Sequence, residues 1–151
     1  KAYFKANKKQ YTWDEPRFKG CVIYAKNEVA AKSAKQIVKS ANPDSVMSYL
    51  NQRVNVDSVM YARVERGLWK QGANGAVDKY GFKLKDAEYT PSEEYPIVLL
   101  VGKVIKAPQE YTDERAKVTT DYQDYLEKEW VAKLREKYPV VINQAVWESI
   151  Q

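Results

Sequence analysis

The residues that could carry acid–base or nucleophilic chemistry in this chain are carboxylates, lysines and tyrosines, because the sequence has no histidine and one cysteine. Without histidine, Ser–His and Cys–His nucleophile pairs and most zinc sites are excluded. Cys21 lies in an apolar run, so we expect a buried, inert thiol and no internal disulfide. The sequence therefore predicts no catalytic residue, no metal site and no cofactor.

The densest carboxylates lie on one predicted helix, at Asp121, Asp124, Glu127 and Glu129. A hydrolase could use such a group as a general acid and base. The neighbouring Lys128 and Lys133 favour a different interpretation, because mixed charges at this spacing are typical of a solvated helix face.

Aromatic side chains offer a second kind of site, since the chain contains 12 Tyr and 4 Trp. These side chains give a large contact area at low entropic cost, so an exposed groove lined with them could hold unfolded polypeptide. The predicted loops and edges supply the candidate peptide-binding residues Tyr61, Trp69, Tyr80, Tyr89 and Tyr95. The alternative is that each of these side chains is part of the core or of a half-buried surface.

The last third of the chain predicts one long amphipathic helix. Thr112 is its predicted N-cap, Pro139 ends it, and the β-branched run 140–142 predicts a short final strand. Its apolar residues recur at three and four positions and form one stripe, which comprises Val118, Tyr122, Tyr125, Leu126, Trp130, Leu134 and Tyr138. This stripe and Trp147 could dock on another region of a longer chain, could form a dimer, or could cover the sheet of this domain.

Composition limits the class of protein. With 151 residues, 44% hydrophobic and 30% charged, the chain suits one domain or a small domain with an appendage. No apolar run reaches the roughly 20 residues of a membrane span. The absence of an initiator Met and of a signal peptide leads us to interpret the sequence as a piece of a longer or processed chain.

The net charge is +5, and the densest basic stretch runs from Lys1 to Lys9. Tyr3 and Phe4 lie among its lysines, and Tyr11 follows it. Nucleic-acid binding would use such a pattern. No RNA-binding signature follows it, so we favour a solvated strand or linker and predict no nucleic-acid partner.

The remaining elements predict an α+β fold, in which a small antiparallel sheet carries helices on one face. Strands are predicted at 18–26, 60–65 and 97–106, with a loop at 67–75 and a helical turn at 76–82. Asn27 is predicted to cap a first helix whose inner face is Val29, Ala30, Ala34, Ile37 and Val38. A second helix near 45–53 is predicted to bury Val46, Tyr49 and Leu50. The predicted divisions are a linker or edge segment at 1–16, a domain at 17–108, and the final helix and strand at 109–151.

This order of elements resembles the parvulin family of peptidyl-prolyl isomerases. Residues 21–26 resemble the family's first strand, 63–69 its glycine-rich segment, and 99–106 its closing strand. The family's two histidines would fall near Val22 and Leu100, and its pocket Met and Phe near Ala73 and Val77. All four positions depart from the family pattern, so the resemblance implies a degenerate parvulin-like domain without isomerase activity.

The ends of the chain, at 13–20 and 119–143, resemble the C-terminal part of SurA-like chaperone-isomerases of Bacteroidetes-type bacteria. The resemblance implies a periplasmic or cell-envelope protein whose partners are unfolded outer-membrane or secreted clients and the N-terminal chaperone region of its own parent chain. The parent would count as a peptidyl-prolyl cis-trans isomerase. The alternative is a peptide-binding, docking or dimerisation module with no connection to isomerases.

Overall fold

Strand β1 (Arg17–Ala25) is the centre of the fold. In the computed structural model, which describes residues 1–139, 141, 145 and 148, it pairs antiparallel with β2 (Ala62–Trp69) on one side and β3 (Ile97–Ile105) on the other. The described residues thus form a three-stranded antiparallel sheet in the order β2–β1–β3. Because neighbouring side chains of a strand point to opposite faces, β1 contributes to two separate cores.

Two helices pack on one face of this sheet. Helix α2 (Glu28–Ser40) begins as predicted at Asn27, whose side chain accepts a hydrogen bond of 2.9 Å from the Ala30 N–H. A 3₁₀ turn at Pro43–Ser45 leads into α3 (Val46–Arg53). Their inner faces enclose the first core, which includes Ile23, Ala25, Ala30, Ala31, Ala34, Ile37, Val46, Leu50, Val54 and Ala62.

The other face of the sheet is covered by a single π-helical turn, Val77–Phe82, and by the chain that follows it. This turn matches the helical turn that the sequence predicts. It buries Ala76 and Val77 against Phe18, Val22 and Tyr24 of β1, which together form a second core. The sheet is therefore packed on both faces, with helices α2 and α3 confined to one of them.

By its internal contacts the chain divides into two compact units, one of Lys9–Gln109 and one of Lys1–Lys8 together with the chain from Glu110 onward. The second unit holds the short helix α1 (Ala2–Ala6) and the long helix α4 (Arg115–Lys137). Tyr3 of α1 packs on α4, with its ring centroid 5.3 Å from that of Tyr122 and 5.5 Å from that of Tyr125.

Several local predictions are wrong. Residues 2–6 and 8–10 form a helix and a 3₁₀ turn, so the edge strand offered as one interpretation of residues 1–16 is absent from this part of the chain. Strand β2 continues through Gly67 to Trp69, where the sequence predicts a loop. Val29 of α2 is 75% exposed, and Ala31 occupies the inner face in its place. Tyr49 of α3 is also exposed, and the Arg53 guanidinium lies 5.0 Å from its ring centroid.

At the start of α4, Thr112 is not the cap. A 3₁₀ turn at Tyr111–Glu114 precedes the helix, and Glu110 and Asp113 form its capping box, in which the Glu110 N–H donates to Asp113 Oδ2 at 3.0 Å. Helix α4 ends at Lys137, two residues before Pro139, as predicted. Val140 and Ile142 of the predicted final strand, and Trp147, lie outside the described residues.

Candidate peptide-binding site

Most of the predicted aromatic residues meet on the sheet face opposite α2 and α3. We call this surface the aromatic face. It consists of the second core together with the half-buried side chains packed on it, namely Trp69, Phe82, Tyr89, Tyr95, Val98 and Leu100. Phe18 and Tyr24 mark its two ends along β1, about 20 Å apart at roughly 3.3 Å per residue. That length matches six or seven residues of an extended peptide.

One end of the aromatic face lies over three glycines that are aligned across the sheet. Gly67, Gly20 and Gly102 occupy the same level of β2, β1 and β3, and we call them the glycine row. A Cβ on Gly20 would lie 2.3 Å from the Val101 carbonyl oxygen and 3.0 Å from the Phe18 ring. A Cβ on Gly67 would meet the Trp69 ring at 2.6 Å. The two rings therefore fold over backbone that carries no side chains, and their centroids lie 6.2 Å apart.

The other end of the aromatic face is polar at its rim. The Tyr24 hydroxyl accepts a hydrogen bond of 3.3 Å from Asn74 Nδ2 and donates a long one of 3.5 Å to Glu65 Oε2. Arg63 forms an ion pair of 3.1 Å with Glu65, and its guanidinium lies 4.9 Å from the Tyr24 ring centroid. Tyr24 is thus held from both sides, with its ring against the core and its hydroxyl at the rim.

Two side chains fix the loop between β2 and the π-helical turn. Asn74 Oδ1 accepts the Val77 N–H at 3.1 Å, which satisfies a donor at the start of the turn. The buried Asp78 carboxylate accepts the Gly72 N–H with both of its oxygens at 3.1 Å. These bonds place Ala76 and Val77 beneath the aromatic face.

Tyr80, Tyr89 and Tyr95 lie near the Tyr24 end. The rings of Tyr80 and Tyr89 meet edge to face at 6.1 Å, and Lys79 Nζ donates to the Tyr89 carbonyl at 3.1 Å. Burial raises the pKa of the Tyr89 hydroxyl, and the neighbouring Tyr24, Tyr80 and Glu65 add to the effect, which Arg63 partly offsets. The Tyr95 hydroxyl donates to the Met60 carbonyl at 3.2 Å.

Tyr61 does not belong to this surface. It packs on the first core, on the side of α2 and α3. There it lines an open depression of about 260 Å³ with Val29, Ser33, Arg53 and Val54. The structure therefore brings Trp69, Tyr89 and Tyr95 onto the aromatic face, places Tyr80 in contact with Tyr89, and separates Tyr61 from them. Sequence reasoning missed Phe18, Tyr24 and Phe82, although the even-numbered spacing of Phe18, Val22 and Tyr24 along β1 is the signal that puts them on one face.

The centre of the aromatic face is aliphatic. Val22 and Leu100 are cross-strand partners, so their side chains lie on the same face of adjacent strands. Val77 is fully buried beneath them, and Ala73 is exposed; these are the positions near which the parvulin resemblance would imply pocket residues. The arrangement offers aliphatic contact at its centre and aromatic rings at its two ends, with the charges of Arg63 and Glu65 at the rim.

The other sites considered from the sequence lie elsewhere. Cys21 is buried, and burial raises its pKa, an effect that Arg66 partly offsets. The carboxylates Asp124, Glu127 and Glu129 of α4 are exposed. Within the part of the chain that the structure describes, no group of three His, Cys, Asp or Glu residues is placed to hold a metal ion, and no helix has the length and apolarity to cross a membrane.

The stripe on α4 is buried only at its first residue. Val118 is 6% exposed, Leu134 is half-buried, and the rest of the stripe is exposed, up to 62% at Trp130. Tyr125 donates a hydrogen bond of 2.6 Å to Glu129 Oε1, and this bond raises the pKa of the Tyr125 hydroxyl. Two aromatic residues of the stripe, Tyr122 and Tyr125, contact the ring of Tyr3 on helix α1 of the same unit.

A scan against models of protein families, a search of curated proteins and a search of solved structures find no match to this chain.

Proposed function

We propose that this chain is a non-catalytic, peptide-binding domain of a cell-envelope chaperone of the SurA-like parvulin type, which holds unfolded segments of outer-membrane or secreted clients. The observation that carries the proposal is the aromatic face, where Trp69, Tyr89 and Tyr95 remain half-exposed around a rigid core. Rigid aromatic side chains bind varied apolar sequences at low entropic cost.

The position of Val22 and Leu100 supports the non-catalytic part of this proposal. The resemblance to parvulins places the family's two histidines near these residues, and the two lie opposite each other on one face of the sheet. Twisting an X–Pro bond against a barrier of about 18–20 kcal/mol requires polar groups arranged around the bond. Two aliphatic side chains supply none.

A protease-coupled prolyl isomerase assay tests this part directly. We expect no rate above the buffer control, with an active parvulin assayed in parallel to show that the assay works. A rate that rises with the concentration of this protein would overturn the non-catalytic assignment.

Peptide binding is tested by titrating short peptides of alternating aromatic and polar residues and following the Trp fluorescence. We expect Tyr89→Ala to weaken binding by roughly fivefold or more, because one packed aromatic contact is worth about 1 kcal/mol. Tyr49→Ala is the matched control, since Tyr49 is exposed on α3, away from the aromatic face. Equal losses in the two variants would contradict the proposed site.

A second candidate function, favoured by the exposed stripe on α4, is docking on the N-terminal chaperone region that the SurA-like resemblance implies. Leu126 and Trp130 are 44% and 62% exposed, and contiguous apolar surface of this kind is typical of interaction sites. We expect a monomer that binds an apolar dye, and we expect Leu126→Ala with Trp130→Ala to reduce the dye signal. A monomer with no dye-accessible patch would count against docking.

A further inference from the structure

The two edges of the sheet differ in how their backbone groups are satisfied. At the start of β2, Ala62 donates its N–H to Asn55 Oδ1 and accepts from Asn55 Nδ2, both at 2.9 Å. The polar groups of Ala62 therefore face away from β1. In an antiparallel sheet, successive residues of a central strand bond alternately to their two neighbours. Ala62 lies opposite Ala25, and because Ala62 does not bond to β1, the backbone groups of Ala25 point to β3. Every second residue of β1 does the same, so Ile23 and Cys21 also bond to β3.

This alternation identifies the backbone groups at the outer edge of β3. Its residues opposite Phe18, Gly20, Val22 and Tyr24 are not bonded to β1, and they are Val104, Gly102, Leu100 and Val98. The close approach at the glycine row agrees, because a Cβ on Gly20 would lie 2.7 Å from Gly102 Cα and unbonded pairs are the closer ones. Over the described residues, the only backbone hydrogen bonds of β3 are those to β1.

The two edges also differ in charge. Strand β2 carries Arg63, Glu65 and Arg66, and Asn55 occupies its first outer position, so its edge has the features that discourage pairing. Strand β3 reads I-V-L-L-V-G-K-V-I, with Lys103 as its one charged residue and no proline. This edge belongs to an apolar strand of nine residues, and no described residue bonds to its outward backbone groups. Such an edge is a template for another strand.

We infer that β3 accepts an extended segment of a client polypeptide as a fourth strand, bonded to the backbone of Val98, Leu100, Gly102 and Val104. This inference rests on the proposed function and specifies how a client is held. The side chains of Val98, Leu100 and Val104 lie on the same face of the sheet as Phe18, Val22 and Tyr24, so alternate side chains of an added strand would continue that surface. Backbone bonds give affinity that is independent of sequence, as a holder of varied unfolded segments requires.

Charges at the two ends of β3 determine which end charges of an antiparallel added strand are complementary to it. The exposed Glu93 and Glu94 precede the strand, and the exposed Lys103 and Lys106 lie at its end. An antiparallel peptide would place its N-terminus near the lysines and its C-terminus near the glutamates. A peptide with an acidic residue first and a basic residue last is therefore complementary, and its charge-reversed counterpart is not.

A scan with N-methylated peptides tests the inference on the intact chain. The probe is a capped nonapeptide of alternating Val and Tyr with Asp first and Lys last. N-methylation at alternate positions removes donors that face β3, and at the intervening positions it removes donors that face solvent. We expect the first series to bind roughly five- to tenfold more weakly per donor removed and the second to bind like the parent. Equal effects in the two series would overturn strand addition.

Two proline variants provide a matched test in the protein. Val104→Pro removes an outward N–H from the edge of β3, at a side chain that is 42% exposed. Arg66→Pro makes the same change on the outer edge of β2, because Arg66 lies opposite Cys21. Proline is tolerated at such edge positions. We expect both variants to unfold cooperatively, and we expect only Val104→Pro to weaken peptide binding.

The results also separate this inference from the function on which it rests. Peptides that bind equally well with and without N-methyl groups would overturn strand addition while leaving binding by the aromatic face in place. Peptides that do not bind at all would overturn both. A dimer that dissociates in Val104→Pro and excludes the peptide would show that a second copy occupies the edge, and this too would overturn the inference.

Discussion

At the scale of single residues, the glycine row leaves the least room in the sheet for a larger side chain. A Cβ on Gly20 would lie 2.3 Å from a backbone oxygen and 2.7 Å from a backbone carbon, neither of which can move without separating β1 from β3. A Cβ on Gly67 would meet the side chain of Trp69, which can rotate. A larger residue at position 20 must therefore displace backbone, whereas one at position 67 must displace a side chain, although both are strand glycines at the same level of the sheet.

We expect Gly20→Ala to lower the free energy of unfolding by more than about 2 kcal/mol, and Gly67→Ala to lower it by about 1 kcal/mol or less. Urea unfolding followed by circular dichroism measures both values. Similar losses in the two variants would show that the backbone contact is not the cause.

Cys21 provides a second prediction at this scale. Burial raises its pKa, so the folded state retains the thiol proton at pH values where the unfolded chain has begun to lose it. The contribution of Cys21 to the free energy of unfolding therefore falls as the pH rises above the pKa of the unfolded chain. We expect a thiol reagent at pH 8 to react with the native protein at least tenfold more slowly than with the protein in guanidinium chloride. Equal rates in the two conditions would contradict the burial of Cys21.

At the scale of elements, helix α4 contains one buried position and a long exposed stripe. Val118 is 6% exposed and Trp130 is 62% exposed. We expect Val118→Ala to cost about 1–3 kcal/mol of stability, and Trp130→Ala less than about 0.5 kcal/mol, although it removes far more side chain. Thermal unfolding of the two variants measures this difference. A large loss in Trp130→Ala would mean that the indole is packed in solution.

Local patterns predicted the elements that have strong periodicity or a cap. The α+β class, the run of Ile97–Ile105 and the cap at Asn27 follow from β-branched residues and from an amide that satisfies a helix donor. The prediction of a loop at 67–75 is wrong for residues 67–69, because a glycine in sequence indicates either a turn or a close approach of two strands. Gly67 marks a close approach across the sheet rather than a turn, and only the pairing of β1 with β2 distinguishes the two.

The candidate site was predictable by residue type and not by position. Tyr and Trp in predicted loops indicated an aromatic surface; three of the five residues lie on it and Tyr80 contacts it through Tyr89. Tyr61 fell on the other face because it precedes β2 and packs with the helices. The edge of β3 could not be predicted from the sequence, since its free backbone groups depend on which strand is central.

At the scale of the whole molecule, the division into two compact units predicts separable folding. The unit of Lys9–Gln109 contains the entire described sheet together with both of its cores. We expect residues 9–109 alone to unfold cooperatively and to protect Cys21 from thiol reagents as the full chain does. A shortened chain with no cooperative transition, or with a freely reactive Cys21, would show that the sheet depends on the remaining residues.

The glycine row also affects how the sheet responds to force. Gly67, Gly20 and Gly102 cross three neighbouring strands at one level, so the aromatic face lacks side chains along a line perpendicular to the strands. Along that line the sheet resists bending through its backbone, the overlying rings of Phe18 and Trp69, and packing on the opposite face. We therefore expect the sheet to bend more easily at this line than on either side of it, because strand side chains do not crowd one another there.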